Sequence, residues 1–211
     1  MMENVKLVAF TFDDGPVQYS EDSTAMNILR TFEKYGQTAT FFYVGEKMTD
    51  DNKKEIEFAQ SIGCEAGNHT YSHTFLSKCT KEQIEEEVTK TTALLEKYTG
   101  KTPLLARIPY LESDELIVKT AGFPLIRCNV DSQDYTHIPA EEIIRRIMNA
   151  EETGALENGI VLLHEPYETT MRAVEYLIPT LMEKGYRFVT VSELAKRNGV
   201  ELLPGVEYSK M

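Results

Sequence analysis

The chain has 211 residues, 42% of them hydrophobic, with 22 basic against 34 acidic side chains and a formal net charge of −12. That length suits one domain spanning 1–211, and the charge argues against nucleic acid or an anionic membrane surface as a partner. No apolar run approaches the ~20 residues of a membrane span, and the start, Met1-Met2-Glu3-Asn4, shows no signal peptide.

In chain order, residues 5–12 (Val-Lys-Leu-Val-Ala-Phe-Thr-Phe) predict a buried strand, and 38–45, rich in aromatic and β-branched types, predict a second. Further strands are expected at 64–69, 104–109, 124–130, 159–164 and 187–191, seven in all. Between them run helical patterns. Residues 80–98 repeat Ile84, Val88, Leu95 and Tyr98 at helical spacing, with a Thr80/Gln83 capping box at the start. Residues 139–149 place Pro139 in a first turn and Ile143, Ile144, Ile147 and Met148 on one face. Residues 169–184 do the same with Val174, Ile178, Leu181 and Met182, with Gly185 as the stop; Pro179 should kink this helix or mark its true start. The tail from Glu201 to Met211, with Pro204-Gly205, reads as an irregular cap. Cys64, Cys79 and Cys128 form no C-x-x-C and are expected to be buried small residues. The run Glu85-Glu86-Glu87 reads as a solvated helix face, and His137 as a loop residue.

Strands alternating with helices imply parallel pairing. The expected fold is α/β, a closed or nearly closed (β/α) barrel, with a doubly wound open sheet as the alternative. Chemistry-bearing residues then gather at strand ends, which open on one face of a barrel. Asp13-Asp14-Gly15-Pro16 follows the first strand and could by itself be a plain turn. His69 and His73 follow the third; four residues apart, they can share a helix face or bracket one tight turn. A carboxylate with two imidazoles leaves a coordination position open, which describes a catalytic site of the zinc type. Arg107, at the end of the fourth expected strand, is expected to pair with Asp13. His164, at the end of the 159–164 strand, suits a general acid oriented by Asp134 or, less well, Asp131. No G-x-S-x-G elbow supplies a serine nucleophile.

Five segments in order, Thr11-Phe12-Asp13-Asp14-Gly15-Pro16, His69-Thr70-Tyr71-Ser72-His73, Arg107-Ile108-Pro109-Tyr110, Asp131-Ser132-Gln133-Asp134-Tyr135 and Leu162-Leu163-His164-Glu165, resemble the motifs of the polysaccharide deacetylase family (carbohydrate esterase family 4, the NodB-homology domain). The resemblance covers roughly residues 5–195. It implies a distorted (β/α) barrel, often seven-stranded, and metal-dependent removal of O- or N-acetyl groups from a carbohydrate such as acetylxylan, chitooligosaccharide or peptidoglycan. By position it makes Asp14, His69 and His73 the metal ligands, with zinc first and cobalt or nickel as alternatives. Asp13 becomes the general base with Arg107 as partner, His164 the general acid tuned by Asp134, the Tyr110 N–H an oxyanion donor and Leu162 a wall of the acetyl-methyl pocket. Four positions depart from the pattern. Leu111 stands where Gly is usual, Tyr135 where Trp is usual, Glu165 where Asp is usual, and Arg127-Cys128-Asn129 replaces a segment that commonly carries Trp. With no Trp in the chain, the sugar-facing walls, Tyr135 among them, offer less stacking area. The competing readings are a non-catalytic carbohydrate-binding relative and a metal-dependent hydrolase of another bond, such as the C–N bond of a cyclic amide. Substrates of the implied kind point to an extracellular or cell-surface setting.

Overall fold

The computed structural model describes residues 5–211; the chain start read for leader features lies outside them. Strand β1 (Lys6–Gly15) forms the axis of the molecule, flanked by β2 (Thr40–Tyr43) and β6 (Gly159–His164). Beyond these lie β3 (Glu65–Asn68) on one side and β5 (Val130–Asp131) on the other, giving the order β3-β2-β1-β6-β5, while β7 (Tyr186–Phe188) pairs with the first residues of β1. Every one of these pairings is parallel. Helices α1 (Thr24–Lys34), α2 (Lys53–Ser61), α3 (Lys81–Thr99), α4 (Glu115–Ala121), α5 (Ala140–Glu152), α6 (Glu168–Glu183) and α7 (Val191–Arg197) provide the crossovers. The result is the α/β, distorted barrel expected, incompletely closed.

Alternation along the strands sorts the core into two faces. Val8, Phe10 and Phe12 of β1 pack outward with Ile28 and Phe32 of α1, Ile147 of α5 and Val174 and Ile178 of α6. Ala9 turns the other way, with Phe42, Ile160 and Val189, where Leu194 of α7 closes the barrel floor. Burying each such side chain stabilises the fold by about 1.5–3 kcal/mol. The strands that form this core are therefore the continuous apolar runs, packed on both faces.

Several expectations change. The strand expected at 104–109 is reduced to Ala106, which bridges Asn68 on one side and Leu125 on the other. Pro109 has no N–H to extend that ladder, and the chain turns into a short 3-10 segment, Pro109–Leu111. The strand expected at 124–130 is two, β4 (Leu125–Ile126) and β5, separated by residues 127–129. The tail is not irregular: β8 (Glu207–Tyr208) pairs in parallel with β4, and Lys210 bridges Gly159. Helix α3 carries the full Thr80/Gln83 capping box. Pro139 is the N-cap of α5 rather than a first-turn residue. Helix α6 runs through Pro179, which is inside it; the carbonyl thereby left without a donor belongs to exposed Glu175. Cys64 is buried, but Cys79 and Cys128 are only partly so.

Candidate active site

The mouth of the barrel is organised by a β-bulge in β1. Phe12 pairs with Phe41 but Gly15 with Tyr43, so β1 carries one extra residue over that stretch. Strict alternation would send Asp13 and Asp14 to opposite faces. The left-handed backbone of Asp14 (φ 71°) re-aims it, and both carboxylates reach the same space. Gly15 leaves room here for the buried Glu165 carboxyl, which a Cβ at this position would displace.

Asp13 is buried and accepts from Nη1 of Arg107 at 2.8 Å. The Arg107 guanidinium is fully buried, and each of its three nitrogens donates to a protein acceptor. Nη1 also donates to Thr11 Oγ1 (2.7 Å), Nε to the Ile126 carbonyl (2.9 Å) and Nη2 to the Arg127 carbonyl (3.0 Å), while the plane lies 4.4 Å from the Phe42 ring centre. Such a buried pair tolerates no missing member.

Asp14 faces the two imidazoles, with Oδ1 3.1 Å from His73 Nε2 and 3.7 Å from His69 Nε2. His69 Nδ1 lies 2.7 Å from the Arg107 carbonyl, which can only accept; Nδ1 therefore carries the proton and Nε2 presents its lone pair to Asp14. Burial pushes the His69 imidazole down, against the opposing pull of Asp13, and favours the neutral, ligating form. Burial by itself would raise the Asp14 carboxyl, but the contacts with His73 and His69 outweigh it and hold it well below the usual carboxylate range. One atom each from Asp14, His69 and His73 lies within 4.8 Å of the others. One carboxylate oxygen and two imidazole nitrogens, with a ring tautomer already set, fit a divalent ion with a position left open.

The histidines bracket a tight turn rather than sharing a helix, with positive φ at Thr70 and His73. Two residues unmarked in the sequence hold that turn. Buried Asn68 accepts from the Thr70 N–H (2.9 Å) and donates to the Val88 carbonyl and Thr92. Glu87 accepts from the N–H groups of Tyr71 (2.9 Å) and Ser72 (2.8 Å) and from the Ser72 hydroxyl. The reading of Glu85-Glu86-Glu87 as a solvated face is thus corrected for Glu87; a run of three glutamates hides which one faces inward.

Opposite the imidazoles, His164 is the Cα partner of Asp13 across the β1–β6 ladder. Its Nδ1–H donates to Asp134 Oδ1 (2.7 Å), leaving Nε2 for the cleft. Buried Asp134 also accepts from the His164 N–H (2.7 Å), the Tyr135 N–H (2.9 Å) and Thr170 (2.6 Å). Burial alone would lower the His164 imidazole; the Asp134 hydrogen bond and the nearby Asp13 charge outweigh it and raise it above its ordinary value. Asp131 accepts instead from the Tyr135 hydroxyl (3.3 Å). Leu162 is buried on the His164 face of β6 and belongs to none of the apolar clusters. Tyr135 and Tyr167 flank the His164 ring, and loop residue His137 meets Tyr167 edge-on. On the other side Tyr110, more than half exposed, stacks on Phe75 and donates its hydroxyl to the His73 carbonyl (3.3 Å). Among the described residues its N–H donates to no protein acceptor. An open cleft of about 360 Å³ runs beside Asp14, bounded by Pro16, Gln18, Lys47, Thr49 and Pro166.

Beneath the bulge, fully buried Glu165 meets Glu55 of α2, and among the described residues its carboxyl oxygens have no other partner. Burial and the neighbouring carboxyl push Glu165 well above the glutamate range. Two carboxyls in contact away from water cannot both be ionised.

A family model for polysaccharide deacetylases matches residues 2–124. A peptidoglycan-N-acetylglucosamine deacetylase from Bacillus cereus is 31% identical over 92% of this chain and 90% of its own length. A bifunctional xylanase/deacetylase from Pseudobutyrivibrio xylanivorans is 30% identical over 98% of this chain, which spans only 33% of that relative's length. The structure of a family 4 acetyl xylan esterase from Clostridium thermocellum, in complex with a cobalt ion, superposes with a TM-score of 0.88 at 31% identity, covering 98% of this chain and 99% of that one. Motif order, barrel shape and the paired carboxylates at one bulge agree with these matches, and the chain belongs to the polysaccharide deacetylase family.

Proposed function

We propose that this chain hydrolyses acetyl groups, O- or N-linked, from a polysaccharide or oligosaccharide such as acetylxylan, chitooligosaccharide or peptidoglycan. The observation that carries the reading is the division of labour between adjacent carboxylates: Asp13 on Arg107, Asp14 on two imidazoles, with His164 one strand away. Asp14, His69 and His73 would hold a divalent ion, zinc first with cobalt or nickel as alternatives, and its chemistry there is to polarise the acetyl carbonyl and acidify water. Asp13 takes the proton of the attacking water. The Tyr110 N–H donates to the oxygen on which negative charge develops, a contact of a kind worth about 3–4 kcal/mol. His164 protonates the leaving sugar oxygen or nitrogen as its bond to the acetyl carbon breaks, and acetate departs. Asp134 keeps His164 oriented and charged for that step, Leu162 lines the space for the acetyl methyl, and Tyr135 with Tyr167 walls the sugar side. The relatives named for peptidoglycan, xylan and acetyl xylan support a carbohydrate substrate.

The test is acetate release from acetylxylan, N-acetyl chitooligomers and peptidoglycan side by side, by protein stripped with EDTA and then given Zn²⁺, Co²⁺ or Ni²⁺. Release from at least one substrate that chelation abolishes and metal restores is expected. No release from any of them with any metal would overturn the reading.

A further inference from the structure

We propose that Arg127, tied to Glu207 of the C-terminal strand, is a positioning residue: it holds the Tyr110–Leu111 turn in the conformation that presents the Tyr110 N–H to the reacting carbonyl. The inference rests on the deacetylation reading above and concerns a contact outside the ligand and proton-transfer residues.

The turn is strained. Tyr110 (φ 60°) and Leu111 (φ 53°) both adopt left-handed backbone, which crowds Cβ against the following carbonyl in two consecutive bulky residues. Its local hydrogen bonds, Leu111 N–H to the Ile108 carbonyl and Glu112 N–H to the Pro109 carbonyl, are 3.1 and 3.3 Å long. A shorter contact comes from outside: Arg127 Nη1 donates to the Leu111 carbonyl at 2.8 Å. The same guanidinium meets Glu207 Oε1 at 3.0 Å, and Ser113, two residues beyond Leu111, donates to that oxygen at 2.5 Å. The arginine is fixed at its base as well. Its N–H donates to the Tyr208 carbonyl (2.8 Å), and its carbonyl receives Nη2 of Arg107, the residue that holds Asp13. The base and the oxyanion donor are thereby referenced to one residue, and the tail strand β8 supplies the counter-charge. The clamp links two neighbours across the turn: Leu111, a residue that resists left-handed backbone, and Arg127, a cation that holds it there.

Arg127 and Glu207 are each more than a third exposed. An ion pair of that kind adds little to global stability, so its loss should appear at the turn. The experiment compares wild type, Arg127→Ala, Leu111→Gly and the double variant in kcat and KM for acetate release, with amide hydrogen exchange over residues 108–113. Arg127→Ala should lower kcat by about 10- to 100-fold, short of the full loss of an oxyanion donor, with KM little changed. Exchange should quicken over 108–113 and stay unchanged in β1 and β6. Leu111→Gly, free to adopt positive φ, should recover most of the lost kcat in the double variant, which a merely structural role for Arg127 would not allow. Glu207→Gln should give a smaller loss in the same direction, and it provides the same reading if Arg127→Ala folds poorly. Unaltered kcat and exchange in Arg127→Ala and Glu207→Gln would overturn the proposal, as would a kcat loss that Leu111→Gly leaves in place. Absence of acetate release from the wild type would instead remove the deacetylation reading, and the exchange measurement would still decide the clamp.

Discussion

On one side of the barrel mouth, Asp13 and His164 end a parallel register that runs unbroken from Val8–Gly159. On the other, residues 106–131 contribute a single-residue bridge at Ala106, two strands of two residues each and a strained turn. The first side fixes its chemistry by backbone ladder and an apolar core on both faces. The second fixes its chemistry by single side-chain contacts: Arg107 reaches across to Asp13 and Arg127 ties down Leu111 within the segment, while Asp134, just beyond it, holds His164. The groups to which the proposed reaction gives proton transfer thus sit on rigid backbone, while the groups that would aim and tune them depend on single side-chain contacts, each removable by one substitution.

The largest effect is expected where the two sides are joined. Arg107→Met leaves Asp13 buried without its cation, and urea unfolding should show a loss of about 3–5 kcal/mol, with turnover gone. A near-native midpoint would mean that the ladder side stands without the cross-tie. Next comes Asp134→Asn, which removes the carboxylate that lifts His164. Turnover should fall by about 10²-fold or more, and the alkaline limb of the kcat/KM profile should move to lower pH, because the imidazole loses its proton sooner. A limb that stays in place would assign it to another group. Glu87→Ala acts on the turn between the histidines and should weaken metal binding by about 10- to 100-fold in a competition titration, leaving the unfolding curve nearly unchanged. Equal affinity would show that Asn68 alone holds the turn.

The smallest effect concerns the ladder side itself. Burial raises both Glu165 and Glu55, Glu55 to about 8; the contact between them raises Glu165 further and lowers Glu55. The fold therefore holds more protons than the unfolded chain above the ordinary glutamate range, and stability should decline as pH rises from about 4.5 toward 8. Glu165→Gln should flatten that decline in thermal melts across the range. A decline of unchanged slope would locate the proton elsewhere.

The same contrast governs what the sequence discloses. Strands β1, β2 and β6 are legible because each is an apolar run buried on both faces. The 104–109 segment reads as a strand by composition, yet only Ala106 finds partners, and Glu207–Tyr208 becomes a strand only because β4 lies beside it. At the site, Asp13, Asp14, His69, His73, Arg107, Asp134 and His164 are legible because their chemistry is unusual at strand ends. Asn68, Glu87 and Thr170 are not, because ordinary polar residues acquire their roles through partners 2 to 36 positions away. The bulge that brings both aspartates to one space leaves no mark of its own beyond the glycine that follows it.

The most direct test exploits that bulge: metal content after dialysis and acetate release, measured together for Asp13→Asn and Asp14→Asn. The account expects Asp13→Asn to keep its ion and lose most turnover, and Asp14→Asn to lose both. Near-full activity in Asp13→Asn, or undiminished metal in Asp14→Asn, would contradict it.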